Sequence, residues 1–410
     1  MSKEEIGLKC VECGYEHNAN EVNYLCRRCG GNLDVVLNLD HAAERVNKET
    51  FENRGQGLER YLEFLPVKQP FITLFEGGTP LLRCERLAER FKLKNLYVKD
   101  ETRNPTGVFK DRATAVATTK VMELGLKTVA IASTGNAAAS QASYSAKAGL
   151  ECFVCIPASI PIGKLTQSIA YGAKILPVKG TYDQAFDIIL EACERFGWYN
   201  CSLGVNPFRI EGKKTISYEI CEQLYYDPPD ELMIPMGNGC LLAGLWKGWK
   251  EFSELGFVNG APVMVGIQAE GSAPLVKASK EGKIKVEPVL PNMVADGIAV
   301  GNPRNATKAL RALKESHGIA ETVSDKEILD AQKTLAKLEG VFAEPAGAAP
   351  IAGLKKLIDE GRIGRNDVVV CVVTGTGLKN PAASLKHYKI PQSIEPRISA
   401  VEQALKRMKK

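Results

Sequence analysis

The sequence predicts an α/β fold with mainly parallel sheets, preceded by a small metal-binding ribbon. Three observations carry that reading. From residue 73 onward, short β-type runs alternate with helix-length periodic segments. Glycine- and asparagine-rich turns follow three of those runs. Four of the twelve cysteines form two CxxC pairs within the first thirty residues, while the other eight are scattered singly, mostly in apolar runs. A chain of 410 residues with 45% hydrophobic and 25% charged residues has ordinary globular proportions and room for two or three domains.

Residues 8–37 stand apart. Cys10, Cys13, Cys26 and Cys29 follow CxxC-x12-CxxC spacing, and Gly14 and Gly30 complete a tight turn at each pair. That geometry aims four thiolates at one tetrahedral ion, zinc or, with the same ligands, iron. A closed four-sulfur site leaves no open coordination position, so its expected role is structural. Residues 38–72 are expected to form a linker, polar and then apolar, ending near Pro70. Predicted strands follow at 95–99, 128–132, 152–156, 174–178, 231–235, 263–268 and 367–373. Helical patterns lie at 112–124, 136–148, 182–196, 212–225, 241–254, 325–338 and 347–360, and a basic amphipathic helix is expected from 400 to 410.

Several function classes are excluded at this level. The 53 basic and 48 acidic residues give a net charge of +5 spread evenly along the chain, unlike a nucleic-acid or membrane surface. Between its last cysteines the ribbon carries only Arg27 and Arg28, and it has acidic Glu12, Glu16 and Glu21, a weak charge balance for a nucleic-acid binder. No apolar run approaches the ~20 residues of a membrane span. Residues 1–5 lead into no apolar signal region, which makes the cytoplasm the expected compartment. The four histidines, His17, His41, His317 and His387, lie in no segment that reads as a catalytic turn, which argues against Ser-His or Cys-His nucleophiles.

The chemistry is expected at the strand ends. GxGxxG and GxxxxGK[ST] fingerprints are both missing. The turns ASTGNA at 132–137, PMGNGCLL at 235–242 and VTGTGL at 373–378 are read as the carboxyl ends of strands in one sheet. There, helix N-termini and glycine turns expose N–H groups that suit a phosphate or carboxylate. In NPTGVFKDR, Lys110 follows two apolar residues at a predicted helix start. Partial desolvation beside helix-end N–H dipoles would lower its pKa, as a Schiff-base lysine requires, and the nearby anion turns suggest pyridoxal phosphate. The competing reading is a surface lysine paired with Asp111.

The segments NPTGVFKDR, STGN, GNG opening a helix and VVTGTGLKNP, in this order and spacing, resemble the threonine synthase family of fold-type II pyridoxal-phosphate enzymes. The likeness extends to EGGTPL at 76–81, NPFRIEGKKT at 206–215, GIQAEGSAP at 266–274, GNP at 301–303 and EPAGAA at 344–349. The ribbon resembles that of archaeal-type members. The resemblance implies two open α/β domains around a cofactor cleft. Residues 38–106 with 203–390 would form the larger domain, 107–202 the smaller, and 391–410 a helical tail. It implies that Lys110 is the Schiff-base lysine and mobile base, and that Asn136 bonds the cofactor's phenolic oxygen. Gly237, Asn238, Gly239, Cys240 and Leu241 would cradle its phosphate, mostly through backbone N–H groups. Thr374 would be a neutral partner of the pyridine nitrogen. Ser133, Thr134 and Arg209 would hold the amino-acid substrate, and the enzyme would be a homodimer that converts O-phospho-L-homoserine and water into L-threonine and phosphate.

The substrate side departs from that family. Ala137 stands where threonine follows STGN, Leu203-Gly204 where an asparagine-serine pair precedes VNPxR, Leu241 where the cradle ends in asparagine, and Thr376 where TGHG has histidine. A desolvated phosphate needs several charge-assisted hydrogen bonds, and losing three or four partners would cripple its binding. This keeps a second expectation open: β-elimination or β-replacement on serine, threonine or an O-activated serine.

Overall fold

The computed structural model describes residues 6–68, 70–160, 162–381, 385 and 392–408. His387, residues 1–5 and the last two residues of the expected C-terminal helix lie outside them. Strands β1 (Gly7–Cys10), β2 (Glu16–Asn18) and β3 (Leu33–Val36) form an antiparallel sheet in the order β2-β1-β3, which is the ribbon. A six-stranded sheet has the order β12-β11-β10-β13-β5-β4. It comprises β4 (Leu81–Arg83), β5 (Asn95–Asp100), β10 (Glu231–Pro235), β11 (Val263–Ala269), β12 (Ile319–Val323) and β13 (Val368–Val373), all parallel except β4. A parallel four-stranded sheet has the order β8-β7-β6-β9, with β6 (Thr128–Ala132), β7 (Glu151–Pro157), β8 (Lys174–Val178) and β9 (Tyr199–Asn200).

The helices are α1 (Leu39–Ala43), α2 (Lys48–Glu52), α3 (Glu85–Phe91), α4 (Lys110–Glu123), α5 (Asn136–Ala148), α6 (Thr166–Ala170) and α7 (Tyr182–Phe196). Then follow α8 (Phe208–Gln223), α9 (Cys240–Glu254), α10 (Pro274–Lys280), α11 (Ala306–Glu315), α12 (Asp325–Glu339), α13 (Pro345–Asp359) and α14 (Ile398–Met408). Both parallel sheets are covered on both faces, as continuous apolar strands require. On β13, Val370 and Val372 enter one core while Val369, Cys371 and Val373 enter the other. On β6, Val129 and Ile131 alternate with Ala130 and Ala132 in the same way.

The α/β reading and all seven predicted strands stand. Four parts differ. The 38–72 stretch folds into α1, α2 and a 3₁₀ helix over Leu58–Phe64, with Asn38 and Asn47 as N-caps. Among the elements not anticipated, β4 is a three-residue edge strand. β12, IAETV, carries a buried glutamate, Glu321, satisfied by Lys280, Lys356 and Arg362. The three ligand turns also do not share one sheet: the 132–137 turn follows β6 of the four-stranded sheet, the other two follow β10 and β13 of the six-stranded sheet.

Buried charge ties the site's elements together. Arg112 on α4 reaches Glu101 at 2.7 Å and Glu219 on α8 at 2.6 Å, and Lys99 on β5 reaches Glu219 at 2.7 Å. Gly78 and Thr79 of EGGTPL donate their backbone N–H groups to Glu219. Against the penalty of burial, the two cations hold the Glu219 carboxyl far below the usual carboxylate range. The network welds β5, α4, α8 and the 76–81 loop into one unit.

Candidate active site

Lys110 is the first residue of α4, directly after the loop that leaves the carboxyl end of β5. The loop is strapped to the turn after β13: Phe109 N–H donates to the Thr374 carbonyl at 3.0 Å and Thr376 N–H to the Gly107 carbonyl at 2.9 Å. Gly107 has φ +79, and a Cβ there would meet Thr376 Cγ2 at 2.8 Å. The methyl of Thr376, at the position of the family's histidine, therefore packs into this strap. The Asp111 pairing is overturned. Asp111 is fully buried and accepts from Thr106 N and Thr106 Oγ1, both at 2.7 Å, closing the loop onto the helix start.

Lys110 Nζ lies over the Phe109 ring, 4.1 Å from its centroid. Burial pushes its pKa down to about 7, with Lys213 and Arg209 adding to the push and Cys240 and Glu344 opposing it. Lys213, in the first half of α8, is buried and pushed down to about 8, again chiefly by burial. Arg209, one turn earlier, is buried, with Nη1 on Gln141 Oε1 at 2.8 Å and Nη2 on Thr114 Oγ1 at 3.0 Å. Its Nε has no partner among the described residues. Three cations thus converge with no carboxylate in ion-pair contact among the described residues. Such a cluster calls for an anion.

Opposite them, the chain after β10 forms a glycine cradle. Gly239 has φ +81, and a Cβ on it would stand 2.6 Å from Ala309 Cβ. A Cβ on Gly237 would stand 3.2 Å from Ile298 Cα and from Val300 Cγ2. A side chain would clash at 239 and crowd its neighbours at 237, so the glycines leave N–H groups at the start of α9 open to an anion. Asn305, whose carbonyl lies 3.3 Å from the Gly239 Cβ position, has a buried Nδ2 without a partner among the described residues. The Asn238 side chain turns away and accepts from Arg304 N at 3.1 Å. Cys240 and Leu241 are buried, with the Leu241 side chain in the core beside β10, so only its backbone is available to a ligand.

On the four-stranded side, Ser133, Thr134 and Asn136 are half-buried at the β6–α5 turn. Asn136 Nδ2 donates to Glu344 Oε2 at 2.8 Å. The departures on the substrate side fall together: Ala137 and Leu203 belong to one apolar cluster with Ile131, Val154 and Tyr199. Gly204, at φ +89, has the space of a side chain filled by Arg304, whose Cβ would be 2.5 Å away. Sequence reading passed over Lys213, Glu344, Gln141 and Thr114. Lys213 and Glu344 sat inside quoted motifs, but their partners lie far away in the chain.

A separate surface cleft lined by Arg83, Cys84, Lys92 and Arg365 lies at the amino ends of β5 and β13, opposite this site. The lysine, the cation cluster and the cradle have the donors that pyridoxal phosphate requires: an amine of low pKa and a backbone phosphate seat.

The fold and site thus define a pyridoxal-phosphate dependent enzyme, and the profile of that family matches residues 72–375. Among curated relatives, threonine synthase of Methanosarcina acetivorans is 46% identical over 400 residues, covering 97% of this chain and 98% of that one. Threonine synthase of Methanocaldococcus jannaschii is 44% identical over 404 residues, covering 98% and 99%. The chain belongs to the threonine synthase family. Among solved structures, tomato (Solanum lycopersicum) threonine deaminase isoform 2 aligns with a TM-score of 0.63 at 23% identity, covering 80% of this chain and 82% of that one. O-ureido-L-serine synthase aligns with a TM-score of 0.66 at 19% identity, covering 80% and 98%. These two share the fold.

Proposed function

We propose that the protein is a threonine synthase, a lyase that takes O-phospho-L-homoserine and water to L-threonine and phosphate. The observation that carries this is the convergence of Lys110, Lys213 and Arg209, without carboxylate ion pairs among the described residues, on a cleft faced by the Gly237–Gly239 cradle. Bound pyridoxal phosphate supplies the electron sink that acidifies the substrate's carbon–hydrogen bonds. The chain does the rest. Lys110 Nζ anchors the cofactor and, with its lowered pKa, takes the α-proton and returns protons to the substrate. Cradle N–H groups and Lys213 hold the cofactor phosphate. Asn136 would hold the cofactor ring at its phenolic oxygen, and Thr374 would give the ring nitrogen a neutral partner. Ser133 and Thr134 receive the substrate carboxylate, and Arg209 draws the leaving phosphate.

One observation favours a second reading. Ala137 and Leu203 pack on each other's cluster where polar groups would meet a phosphate, and Arg209 is held by the neutral Gln141 and Thr114. That supports a smaller leaving group, as in β-elimination from serine or threonine or replacement on an O-activated serine. The expected result with purified holoenzyme and O-phosphohomoserine is equimolar phosphate and threonine. Oxoacid formed from serine or threonine, with no phosphate released from O-phosphohomoserine, would establish the second reading instead.

The ribbon is read as a structural zinc site. The four sulfurs lie within 4.8 Å of one another, with Cys10–Cys29 at 3.5 Å and Cys13–Cys26 at 3.6 Å. A tetrahedron of sulfurs about 2.3 Å from zinc has edges of roughly 3.8 Å. The ribbon grips both halves of the molecule. Lys308 on α11 donates to Leu33 O at 2.6 Å and Asp34 Oδ1 at 2.9 Å, and Lys247 on α9 to Val35 O at 2.6 Å. Asn32 Nδ2 donates to Gly204 O at 3.0 Å, and Asn200 N to the Tyr24 hydroxyl at 2.7 Å. Stripping the metal, or Cys26→Ser, is expected to release these bonds at about 1 kcal/mol each and lower Tm by about 10 °C. Metal analysis should give one zinc per chain; an unchanged Tm after complete chelation would refute the structural role.

The family resemblance supports a homodimer, which light scattering would measure. Eight further cysteines, all buried and unpaired, support a reducing compartment such as the cytoplasm.

A further inference from the structure

We propose that Glu344 is a positioning residue for the reaction: reaching across the cleft, its carboxyl group fixes which face the Asn136 side-chain amide presents to the cofactor. The inference rests on the reading of Asn136 as a cofactor contact.

Glu344 sits at the N-cap of α13 yet makes no capping bond with its side chain. Its backbone is tied instead to the turn after β13, where its N–H donates to the Gly375 carbonyl at 2.8 Å and Ala343 bridges Thr376. The side chain therefore leaves the six-stranded side and meets Asn136 at the start of α5 on the four-stranded side, at 2.8 Å. The carboxyl group is confined. A Cβ on Gly375 would stand 2.7 Å from Glu344 Oε1, and one on Gly297 3.5 Å from it. Glycine at 375 makes room for this carboxylate.

An amide offers two N–H donors at one end and an acceptor at the other. With one N–H of Asn136 committed to a carboxylate oxygen, turning the amide over would set two acceptors face to face. The carboxyl group so selects the donor end. The second N–H of the same nitrogen is then available to an anionic oxygen on the bound cofactor, and the tie also sets how far the two sides of the cleft stand apart.

Other charged groups face Glu344 from the surrounding elements: Lys110 on α4, Asp296 in the 296–298 turn and Lys379 after β13. Asp296 is paired with Lys164, and Lys379 donates to Gln167. Burial raises the Glu344 pKa to about 7 against the Asn136 bond and the two lysines, with Asp296 reinforcing the rise. The carboxyl is thus ionised on the alkaline side of neutrality, where its hold on the amide is strongest, and loses its charge on the acid side.

The test uses purified holoenzyme and three variants: Glu344→Leu, which removes the acceptor, Glu344→Gln, which keeps an acceptor oxygen but cannot titrate, and Asn136→Ala. Visible spectra of the bound cofactor are read against pH beside kcat and KM. Glu344→Leu is expected to reproduce the Asn136→Ala spectrum and to lose kcat roughly 10- to 100-fold, with KM changed less than about threefold. Combining it with Asn136→Ala should add little. Glu344→Gln should recover most of kcat and lose the spectral change that the parent shows as pH falls through about 7. A changed Asn136→Ala spectrum with a parent-like Glu344→Leu spectrum would overturn the inference alone. An unchanged Asn136→Ala spectrum would overturn it together with the assignment of Asn136. Should Glu344→Leu fail to fold, a Glu344→Gln spectrum that still follows the parent's pH dependence overturns it.

Discussion

Lys110→Ala is expected to lower turnover roughly ten-thousandfold or more, because the side chain both anchors the cofactor and transfers the protons. The same variant should lack the visible absorbance that arises when cofactor joins the lysine, while its circular dichroism and Tm stay close to the parent's. The Lys110 ammonium makes no ion pair among the described residues, and removing it relieves the desolvation and the repulsion from Lys213 and Arg209 that lower its pKa. The pH dependence follows with a definite sign. Only the neutral amine carries the lone pair needed for attachment, and the Lys110 pKa is pushed down to about 7. Attachment of added cofactor to apoprotein should therefore accelerate as pH rises through neutrality and flatten above about pH 8. A parent-like spectrum in Lys110→Ala would refute the assignment outright.

Why this lysine could be found in the sequence, and its supporting groups could not, has a physical answer. Lys110 lies in a local context that is itself the signal: two apolar residues, a helix start and a glycine turn. The CxxC pairs, with Gly14 and Gly30 at φ +71 and +75, are local in the same sense. Strands such as Val368–Val373 announce themselves because both faces are buried and every position is apolar. Glu344 is different. It meets Asn136 from 208 residues away, and nothing near either residue encodes that distance. The placing of the three ligand turns in one sheet failed for a related reason. Strand periodicity reports burial and says nothing about which sheet a strand joins, and here the turns belong to two sheets, linked by the Asn136–Glu344 bond. β12 was hidden by its glutamate, since the three cations that make Glu321 acceptable inside a strand come from α10, α13 and the turn after α13. The substrate-side departures were visible as residue types. That Ala137 and Leu203 enter one apolar cluster, making the changes mutually supportive, appears only in three dimensions.

Gly212→Ala is expected to destabilise the protein by about 3 kcal/mol or more and to weaken cofactor binding with it. Two effects oppose each other at this site. Alanine is a better helix former than glycine by about 1 kcal/mol, so a solvent-facing exchange would stabilise α8. But a Cβ at 212 would stand 1.9 Å from the Arg112 carbonyl oxygen and 2.4 Å from its carbon, atoms of the α4 backbone that no rotamer change can move. The helices must separate, and separation also strains the Arg112–Glu219 ion pair between them. The contact is one of a series. Gly248 on α9 meets α8 in the same way, where a Cβ would lie 2.5 Å from the Lys214 carbonyl oxygen, and at Gly244 it would lie 3.2 Å from Lys213 Cβ. Glycines thus close both interfaces of an α4–α8–α9 stack. Lys110 starts the first helix, Arg209 and Lys213 lie on the second, and the cradle opens the third, so the same spacing that gives tight packing sets the distances among the groups that bind the anion. Gly361→Ala, at φ +68 in a turn with no atom within 4 Å of the added Cβ, provides the comparison and should cost only about 1–2 kcal/mol with no effect on the cofactor spectrum. Denaturant titration of both holoenzymes, with the spectrum recorded in parallel, decides between the two effects. A Gly212→Ala protein as stable as the parent would show that the stack tolerates a wider spacing and that the site does not depend on it.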